Sequence, residues 1–197
     1  PGVKLGTIVM SNSFRHPSLM AKMGASLQHV SSGRFILGYG AGWHEGEHAS
    51  FGIELRPIGE RIDRLEEGVQ VIKALWTQAP ANFSGRYYSV TNAYARPLPD
   101  PRPPIMIGGG GEKRTLRVVA RHADWWNDVS RSVPVLKRKL AALKEHCEAE
   151  GRDFNSVRKT LSVGTFIDRS HKRALEMAGK QLESDSPPIA GDPAAVR

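Results

Sequence analysis

The 197-residue sequence has a single cysteine, Cys147, so no internal disulfide can form. Its apolar runs are all shorter than the roughly 20 residues that a membrane helix needs, and no signal peptide is recognisable. Its lysines and arginines alternate with acidic residues and lack the aromatic stacking pattern of nucleic-acid-binding proteins. These absences disfavour a disulfide-stabilised secreted domain, a membrane protein and a nucleic-acid partner. We therefore expect a cytoplasmic protein.

The composition is that of a globular domain. A hydrophobic content of 40% over 197 residues is enough to bury the core of one domain. The formal net charge is +8, and most of the positive excess falls within residues 101–197. A solvated basic helical face explains this excess best, and an anionic small ligand is the alternative. The chain begins without methionine inside an apparent strand, so we expect it to be part of a longer protein.

Strand patterns and helix patterns alternate along the chain. Short apolar runs predict strands, and amphipathic segments with capping residues predict helices. The predicted strands are 3–10, 34–39, 104–107, 123–126 and 160–167, and the predicted helices are 15–33, 57–76, 112–121, 133–150 and 171–182. Such alternation indicates an α/β fold with a parallel sheet and right-handed crossovers. A closed (β/α)₈ barrel would need three more strands before the first one, and an open doubly wound sheet is the alternative.

Two of the predicted helices carry apolar residues at helical spacing. The helix at 57–76 has its stripe at Ile62, Leu65, Val69, Ile72, Leu75 and Trp76, and the first helix has Leu19, Met20, Met23, Leu27 and Val30. Both patterns are typical of helices packed on a sheet. Between residues 77 and 103 the helical pattern stops, and this segment is interpreted as an insertion with a small hairpin at 83–88.

Residues 38–48 read GYGAGWHEGEH and allow two interpretations. The last five residues satisfy the HExxH pattern of zinc hydrolases, but the surrounding glycines leave room only for a short helix. The glycines also follow a predicted buried strand directly. Glycines at the carboxyl end of such a strand allow close approach of a ligand, or they form a tight turn without one. The second interpretation places a cofactor here, and no metal ligand is assigned.

A second glycine turn, Gly108 to Gly111, follows the strand at 104–107. A helix is predicted directly after it, with Thr115 one helical turn inside. Exposed backbone amides at a helix N-terminus form an anion site, and phosphate sites in (β/α)₈ barrels commonly lie at the carboxyl ends of strands. This turn is therefore predicted to bind phosphate, with a simple flexible turn as the alternative.

Three further residues lie where they could face the same edge of the sheet. Ser11 follows the first strand and could hydrogen-bond a heterocyclic ring, or it could serve the turn. Trp43 could form a wall of the cofactor pocket, or it could pack on neighbouring loops. His16 is a weak candidate for a general base, because a histidine that precedes proline at a helix start is more often a loop residue.

Several motifs, in this order, resemble the bacterial luciferase-like monooxygenase family. They are LGT at 5–7, RHP at 15–17, SGR at 32–34, LGYGAGW at 37–43, ER at 60–61, LW at 75–76 and PIMIGGGG at 104–111. The similarity extends over nearly the whole chain, which makes it more specific than either glycine turn alone. It is strongest to the deazaflavin-dependent oxidoreductases of the family.

The resemblance implies an α/β (β/α)₈ TIM barrel that binds a reduced flavin or deazaflavin at the carboxyl ends of its strands. The chain would form a partial barrel that lacks the first strands and the C-terminal end. The residues expected to border the cofactor are Ser11, Gly40, Ala41, Gly42, Trp43 and Glu47, and those expected to hold its phosphate region are Gly108, Gly109, Gly110, Gly111 and Thr115.

The resemblance also implies a chemistry. With coenzyme F420, hydride would pass between the deazaflavin ring and a small organic substrate. With FMN, the reduced flavin would activate O₂ for monooxygenation, and a reductase would act as partner. A homodimer is expected. No catalytic acid or base can be named, and a non-catalytic flavin-binding protein is the alternative of another class.

Overall fold

A computed structural model describes residues 2–129, 132–184 and 187–196. The strands are β1 Leu5–Gly6, β2 Met10–Ser11, β3 Phe35–Gly40, β4 Ala81–Ser84, β5 Ser89–Ala93, β6 Ile105–Gly108, β7 Trp125–Asp128, β8 Arg158–Leu161, β9 Thr165–Ile167 and β10 Ile189–Gly191. The α-helices are α1 Pro17–Val30, α2 Glu45–Ser50, α3 Ile58–Thr77, α4 Thr115–His122, α5 Val133–Ala149 and α6 His171–Ala178. Strands and helices alternate as predicted.

The main sheet has six strands, all parallel. Strand β3 pairs with both β1 and β2 on one side, and β6, β7 and β8 follow in sequence order on the other. A doubly wound sheet would reverse its strand order at a switch point. This order advances in one direction only, as in a (β/α)₈ barrel. The longer helices pack against one another in chain order, α1 on α3, α3 on α4 and α4 on α5. The partial barrel, and not the doubly wound alternative, is therefore the observed fold.

The core lies between the sheet and its helices. All of β3 is buried, and the predicted stripe of α3 is buried against it, which confirms that prediction. The indole of Trp76 at the end of α3 donates a hydrogen bond of 2.8 Å to the Ala21 carbonyl in α1. Gly24 makes room for this ring, since a Cβ atom at Gly24 would lie 2.7 Å from Trp76 Cζ2. Helices α1 and α3 are thus held close together.

The prediction of which face of α1 is buried is wrong. Of its predicted apolar stripe only Met20 is buried, whereas the side chains of Leu19, Met23, Leu27 and Val30 are exposed. The helix instead turns its small residues Ala21, Gly24 and Ala25 towards the core. Small side chains permit the close approach to Trp76, so fit to the neighbouring helix outweighs the burial of larger residues.

Several strand boundaries also differ from the predictions. The predicted strand at 3–10 is two short strands, and the predicted strand at 160–167 is β8 in the main sheet plus β9 in a separate parallel pair with β10. Strand β7 ends two residues later than predicted, and β10 was not predicted. Backbone pairing decides these limits, and a partner strand cannot be identified from the pattern of one segment.

The predicted insertion at 77–103 contains the antiparallel hairpin of β4 and β5. Its turn is held against α3 by the carboxylate of Glu67. This group accepts hydrogen bonds from the backbone N–H groups of Arg86 (2.8 Å), Tyr87 (2.8 Å) and Tyr88 (3.1 Å). The hairpin is therefore fixed to the barrel wall.

Asp124 joins the beginnings of β6 and β7. Its carboxylate accepts two hydrogen bonds from the Arg102 guanidinium, at 2.9 and 2.8 Å, and one of 2.7 Å from the Ile105 amide. Burial acts to raise the pKa of Asp124, but the hydrogen bonds from Arg102 and Ile105 outweigh it and hold that pKa below its ordinary value. The folded state therefore stabilises the charged carboxylate.

We expect Asp124→Asn to lower the free energy of unfolding by about 1–2 kcal/mol at neutral pH, because two charge-assisted hydrogen bonds are lost. A folded-state pKa below that of the unfolded chain stabilises the fold above the ordinary value of 3.8, and this contribution disappears as the pH falls below it. Chemical denaturation at pH 7 and pH 3 measures both effects. Asp100→Asn, at an exposed position, serves as control. The prediction would be contradicted if the free energy of unfolding changed between pH 7 and pH 3 by the same amount in Asp124→Asn as in the original chain.

Candidate functional site

A cavity of about 1190 Å³ lies at the carboxyl ends of β2, β3, β6 and β7. All of the residues predicted to contact the cofactor line this cavity, namely Ser11, Gly40, Ala41, Gly42, Trp43, Glu47, Gly108, Gly109, Gly110, Gly111 and Thr115. The parallel strands bring their carboxyl ends to one edge, so segments about 100 residues apart in sequence become neighbours. The two glycine turns therefore border a single cavity.

The lining of this cavity is divided by polarity. Polar groups lie around β6 and β7 and include Thr115, Asn127, Asp128 and Lys139. The walls around β2, β3 and the start of α3 are mainly apolar, with Met10, Phe14, Phe51, Ile53, Ile58 and Ile62. An elongated ligand with an anionic end and a flat apolar body would match this division.

The first glycine turn is fixed by Arg61 of α3. The guanidinium of Arg61 donates hydrogen bonds to the carbonyls of Gly42 and Arg56, the latter at 2.7 Å. Gly42 has φ +73°, and a Cβ atom there would lie 2.3 Å from Ser11 Oγ. The buried Asn12 donates a 2.8 Å hydrogen bond to the Arg61 carbonyl, so the loop after β2 and the turn after β3 are held by the same helix.

The Val9 side chain explains why two of the strand-end positions, Gly40 and Gly108, are glycines, and the sequence analysis missed this. Its Cγ2 atom lies 2.6 Å from the position of a Cβ at Gly40 and 2.8 Å from that of a Cβ at Gly108. The peptide bond between Ile8 and Val9 is cis. The missing Cβ atoms at Gly40 and Gly108 therefore make room for the Val9 side chain, and the expectation that these two glycines border a cofactor stays a prediction.

The second glycine turn is packed closely against other side chains. Gly109 has φ +120°, its amide donates to the Asn127 carbonyl at 3.1 Å, and its carbonyl accepts 2.8 Å from the indole of Trp126. A Cβ at Gly110 would lie 2.3 Å from Lys139 Nζ and 2.7 Å from Asp128 Oδ1. The turn thus presents bare backbone to the buried Asp128 and the partly buried Lys139.

Thr115 is the first residue of α4 and does not lie one turn inside the helix as predicted. It is only 8% exposed, and its hydroxyl lies 2.9 Å from the position of a Cβ at Gly111. Within the described residues, the amides of Gly110 and Gly111 have no protein acceptor. Backbone amides, a hydroxyl and the N-terminus of an eight-residue helix together form a suitable site for an anion.

The sequence analysis missed the ion pair of Lys139 with Asp128 and the neighbouring Asn127 as candidate functional residues. Lys139 of α5 forms an ion pair with Asp128 at the end of β7, with distances of 2.8 and 3.0 Å, and the Asp128 side chain is only 2% exposed. Asn127 beside it donates to Thr160 Oγ1 at 3.0 Å and accepts from Ser162 at 3.2 Å. The polar pair at the end of β7 could have signalled the site, but nothing in the sequence shows that Lys139 reaches it.

The HExxH histidines have other roles. His44 is the N-cap of α2 and accepts a 3.0 Å hydrogen bond from the Glu47 amide. His48 is 1% exposed, with Nδ1 2.9 Å from the His44 carbonyl and its ring 4.8 Å from that of Phe14. In the part of the chain that the structure describes, no three His, Cys, Asp or Glu side chains are arranged to hold a metal. The zinc interpretation therefore has no structural support.

Trp43 and His16 lie at the margins of the site. Trp43 is 79% exposed at the rim of the cavity and packs on the His44 ring at 4.9 Å. His16 is the N-cap of α1, accepts a 3.2 Å hydrogen bond from the Ser18 amide and does not line the main cavity. His16 is therefore not placed as a general base for a ligand there.

The fold and the cavity define a class of protein. The sequence profile of the family described as luciferase-like monooxygenase matches residues 1–192. The chain therefore belongs to the luciferase-like monooxygenase family, and the resemblance seen in the motifs is confirmed.

Two curated relatives illustrate the similarity. The chain is 34% identical over 181 residues to the F420-dependent glucose-6-phosphate dehydrogenase of Amycolatopsis mediterranei (strain U-32), which covers 88% of this chain and 53% of that protein. It is 32% identical over 195 residues to an uncharacterized protein of Mycobacterium tuberculosis (strain ATCC 25618 / H37Rv), covering 98% of this chain and 67% of that protein. The chain thus spans about half the length of the dehydrogenase it matches.

Solved structures share the fold. An F420-dependent secondary alcohol dehydrogenase in complex with an F420–acetone adduct has a TM-score of 0.80 at 24% identity, over 100% of this chain and 61% of its own. The monooxygenase RslO1 from Streptomyces bottropensis has a TM-score of 0.80 at 20% identity, over 98% and 65%. These likenesses confirm the luciferase-like TIM-barrel fold.

We expect Gly108→Ala to lower the free energy of unfolding by about 1–3 kcal/mol, because the new methyl group would overlap Val9. Val9→Ala in the same chain should remove most of this cost, since it deletes both Cγ atoms. A double-mutant cycle, with unfolding followed by chemical denaturation, measures the coupling. Strictly additive effects of the two substitutions would show that Val9 does not explain this glycine.

Proposed function

We propose that this chain contributes the cofactor cavity of an oxidoreductase that transfers hydride between coenzyme F420 and a small organic substrate. The observation that carries the proposal is the bare anion site at Gly110, Gly111 and Thr115, which opens into a cavity with apolar walls. The similarity to the F420-dependent dehydrogenase of Amycolatopsis mediterranei supports the choice of coenzyme.

The residues present suit a coenzyme with a phosphate and a planar ring system. The amides of Gly110 and Gly111 and the hydroxyl of Thr115 would hold the phosphate. Lys139 adds a positive charge next to Gly110, although Asp128 largely neutralises it. Side chains of the apolar wall, Met10 and Phe14 among them, would flank the ring. Ser11, Ala41, Gly42, Trp43 and Glu47 would border the ring as the sequence predicted.

The protein's contribution to the chemistry is orientation and exclusion of water. When bound, the deazaflavin supplies the carbon centre that gives or takes hydride. The turn held by Arg61 fixes one wall of the cavity, and the Trp126 indole fixes the turn that would carry the phosphate. Apolar walls keep water from the reacting atoms. No described side chain is assigned as the proton donor or acceptor.

FMN-dependent monooxygenation is the second candidate. The structural likeness to the monooxygenase RslO1 favours it, with the same TM-score of 0.80. FMN also combines a phosphate with a tricyclic ring, so the same walls would suit it. A separate reductase would then supply reduced flavin as a partner. A protein that binds flavin without turnover would use the same site and is distinguished by the absence of substrate-dependent oxidation.

The remaining expectations concern the protein's location in the cell, its oligomeric state and its substrate. No helix among the described residues is long and apolar enough to cross a membrane. A cytoplasmic location and a homodimer stay predictions. The substrate is proposed only as a small organic molecule.

We expect the protein to bind coenzyme F420 with micromolar or lower Kd in a fluorescence titration, and to bind FMN more weakly. Gly110→Ala should weaken F420 binding at least about tenfold, because the methyl group displaces Lys139 and Asp128 from the anion site. Thr115→Val should weaken binding, whereas Thr115→Ser, which keeps the hydroxyl, should bind like the original chain.

Each other outcome has a defined meaning. Stronger binding of FMN would favour the monooxygenase, and binding of neither coenzyme would overturn the proposed function. If Thr115→Val and Thr115→Ser bound F420 equally well, the Thr115 hydroxyl would not contribute to phosphate binding. A chelator should leave F420 binding unchanged. Loss of F420 binding in the presence of chelator would support a metal site instead.

A further inference from the structure

A second cavity, of about 260 Å³, adjoins the main one. The two cavities share Arg15 and Ile53 as walls. The lining of the smaller cavity includes Arg15, His16, Glu54, Arg56, Arg64 and Tyr88. Its residues come from the loop after β2, the segment between α2 and α3, α3 itself and the turn of the hairpin. None of them except Arg15 and Ile53 borders the proposed cofactor cavity.

The lining of this cavity is positively charged. It includes Arg15, Arg56 and Arg64, against one carboxylate, Glu54. Arginine is the side chain best suited to recognise carboxylates and phosphates, because its planar group donates hydrogen bonds in a fixed geometry. The charge of the cavity therefore indicates an anionic ligand.

Two of these guanidinium groups are held in place before any ligand arrives. Glu60 Oε1 accepts hydrogen bonds from Arg56 at 2.9 Å and from Arg64 at 2.7 Å. The Arg64 guanidinium also lies over the Tyr87 ring, 4.4 Å from its centre. Glu54 Oε2 also lies 3.3 Å from the Arg56 guanidinium, so two carboxylates balance Arg56 and Arg64, and the excess positive charge of this wall is that of Arg15. Side chains that are already ordered lose little entropy when they bind an anion.

His16 adds a hydrogen-bond donor to the same wall. Its Nδ1 accepts a hydrogen bond from the Ser18 amide, which leaves Nε2 as the ring nitrogen that can donate. The edge of the ring packs on Tyr88, with the ring centres 5.2 Å apart. The weak candidate base of the sequence analysis thus lies in the arginine-lined cavity and not in the cofactor cavity.

We propose that this side cavity binds an acidic group, a carboxylate or a phosphate, of a ligand whose body occupies the main cavity. Arg15 borders both cavities, so one ligand can extend from one into the other. The proposal rests on the proposed function, because the ligand is either the coenzyme, through its acidic glutamate tail, or a substrate that carries an acidic group. Both sources present the same chemistry to the arginines.

The test uses triglutamate as a soluble probe, titrated by calorimetry onto the purified protein without coenzyme. Arg15→Gln with Arg56→Gln should weaken triglutamate binding at least about fivefold, and Arg15→Gln alone by about threefold. Arg173→Gln on α6, which matches the charge change of Arg15→Gln alone at an exposed site, should bind within about twofold of the original chain. The difference should shrink in high salt, as expected for partly exposed charges.

Repeating the titration with the protein saturated by coenzyme F420 separates the two sources. Loss of triglutamate binding indicates that the coenzyme tail occupies the cavity, and retained binding indicates a site for an acidic substrate. Equal affinity of all variants, or an equal loss in Arg173→Gln, would overturn the proposal. The first titration needs no coenzyme, so failure of F420 binding and failure of the arginine site are distinguishable.

Discussion

The contact between Val9 and the backbone at Gly40 and Gly108 is the constraint on which the site depends. Because these residues lack a Cβ atom, the Val9 side chain reaches within a few ångströms of both strand ends. This contact joins the segment between β1 and β2 to β3 and β6. The turn after β3 and the turn after β6 then begin at the same level, and both border one cavity.

Around this junction, helices and neighbouring strands fix each turn separately. Arg61 of α3 binds the carbonyl of Gly42, and Trp126 of β7 binds the carbonyl of Gly109. The first turn faces apolar walls, and the second faces the ion pair of the buried Asp128 with the partly buried Lys139. The separation of apolar and polar walls is thus a consequence of which elements support each turn, and it suits a coenzyme that is itself divided into ring and phosphate.

Much of the fold could be predicted from local patterns. The stripe on α3, the buried strand β3 and the glycine turns after β3 and β6 depend on short-range periodicity, and they were correct. The buried face of α1 was predicted wrongly, because periodicity cannot show that Trp76 lies 2.7 Å from the Cβ position of Gly24. The boundary between β8 and β9 was also missed, since it depends on which partner each strand finds.

The sequence by itself determined the order of strands and helices, the family, and the residues at the strand ends that surround the cavity, because these follow from periodicity and from motifs of contiguous residues. The tertiary structure alone decided that Val9 explains Gly40 and Gly108, that Lys139 reaches Asp128, and that Arg15, Arg56 and Arg64 line one side cavity. These are contacts between segments separated by tens of residues. Their existence depends on distances in three dimensions, which no local pattern in the chain contains.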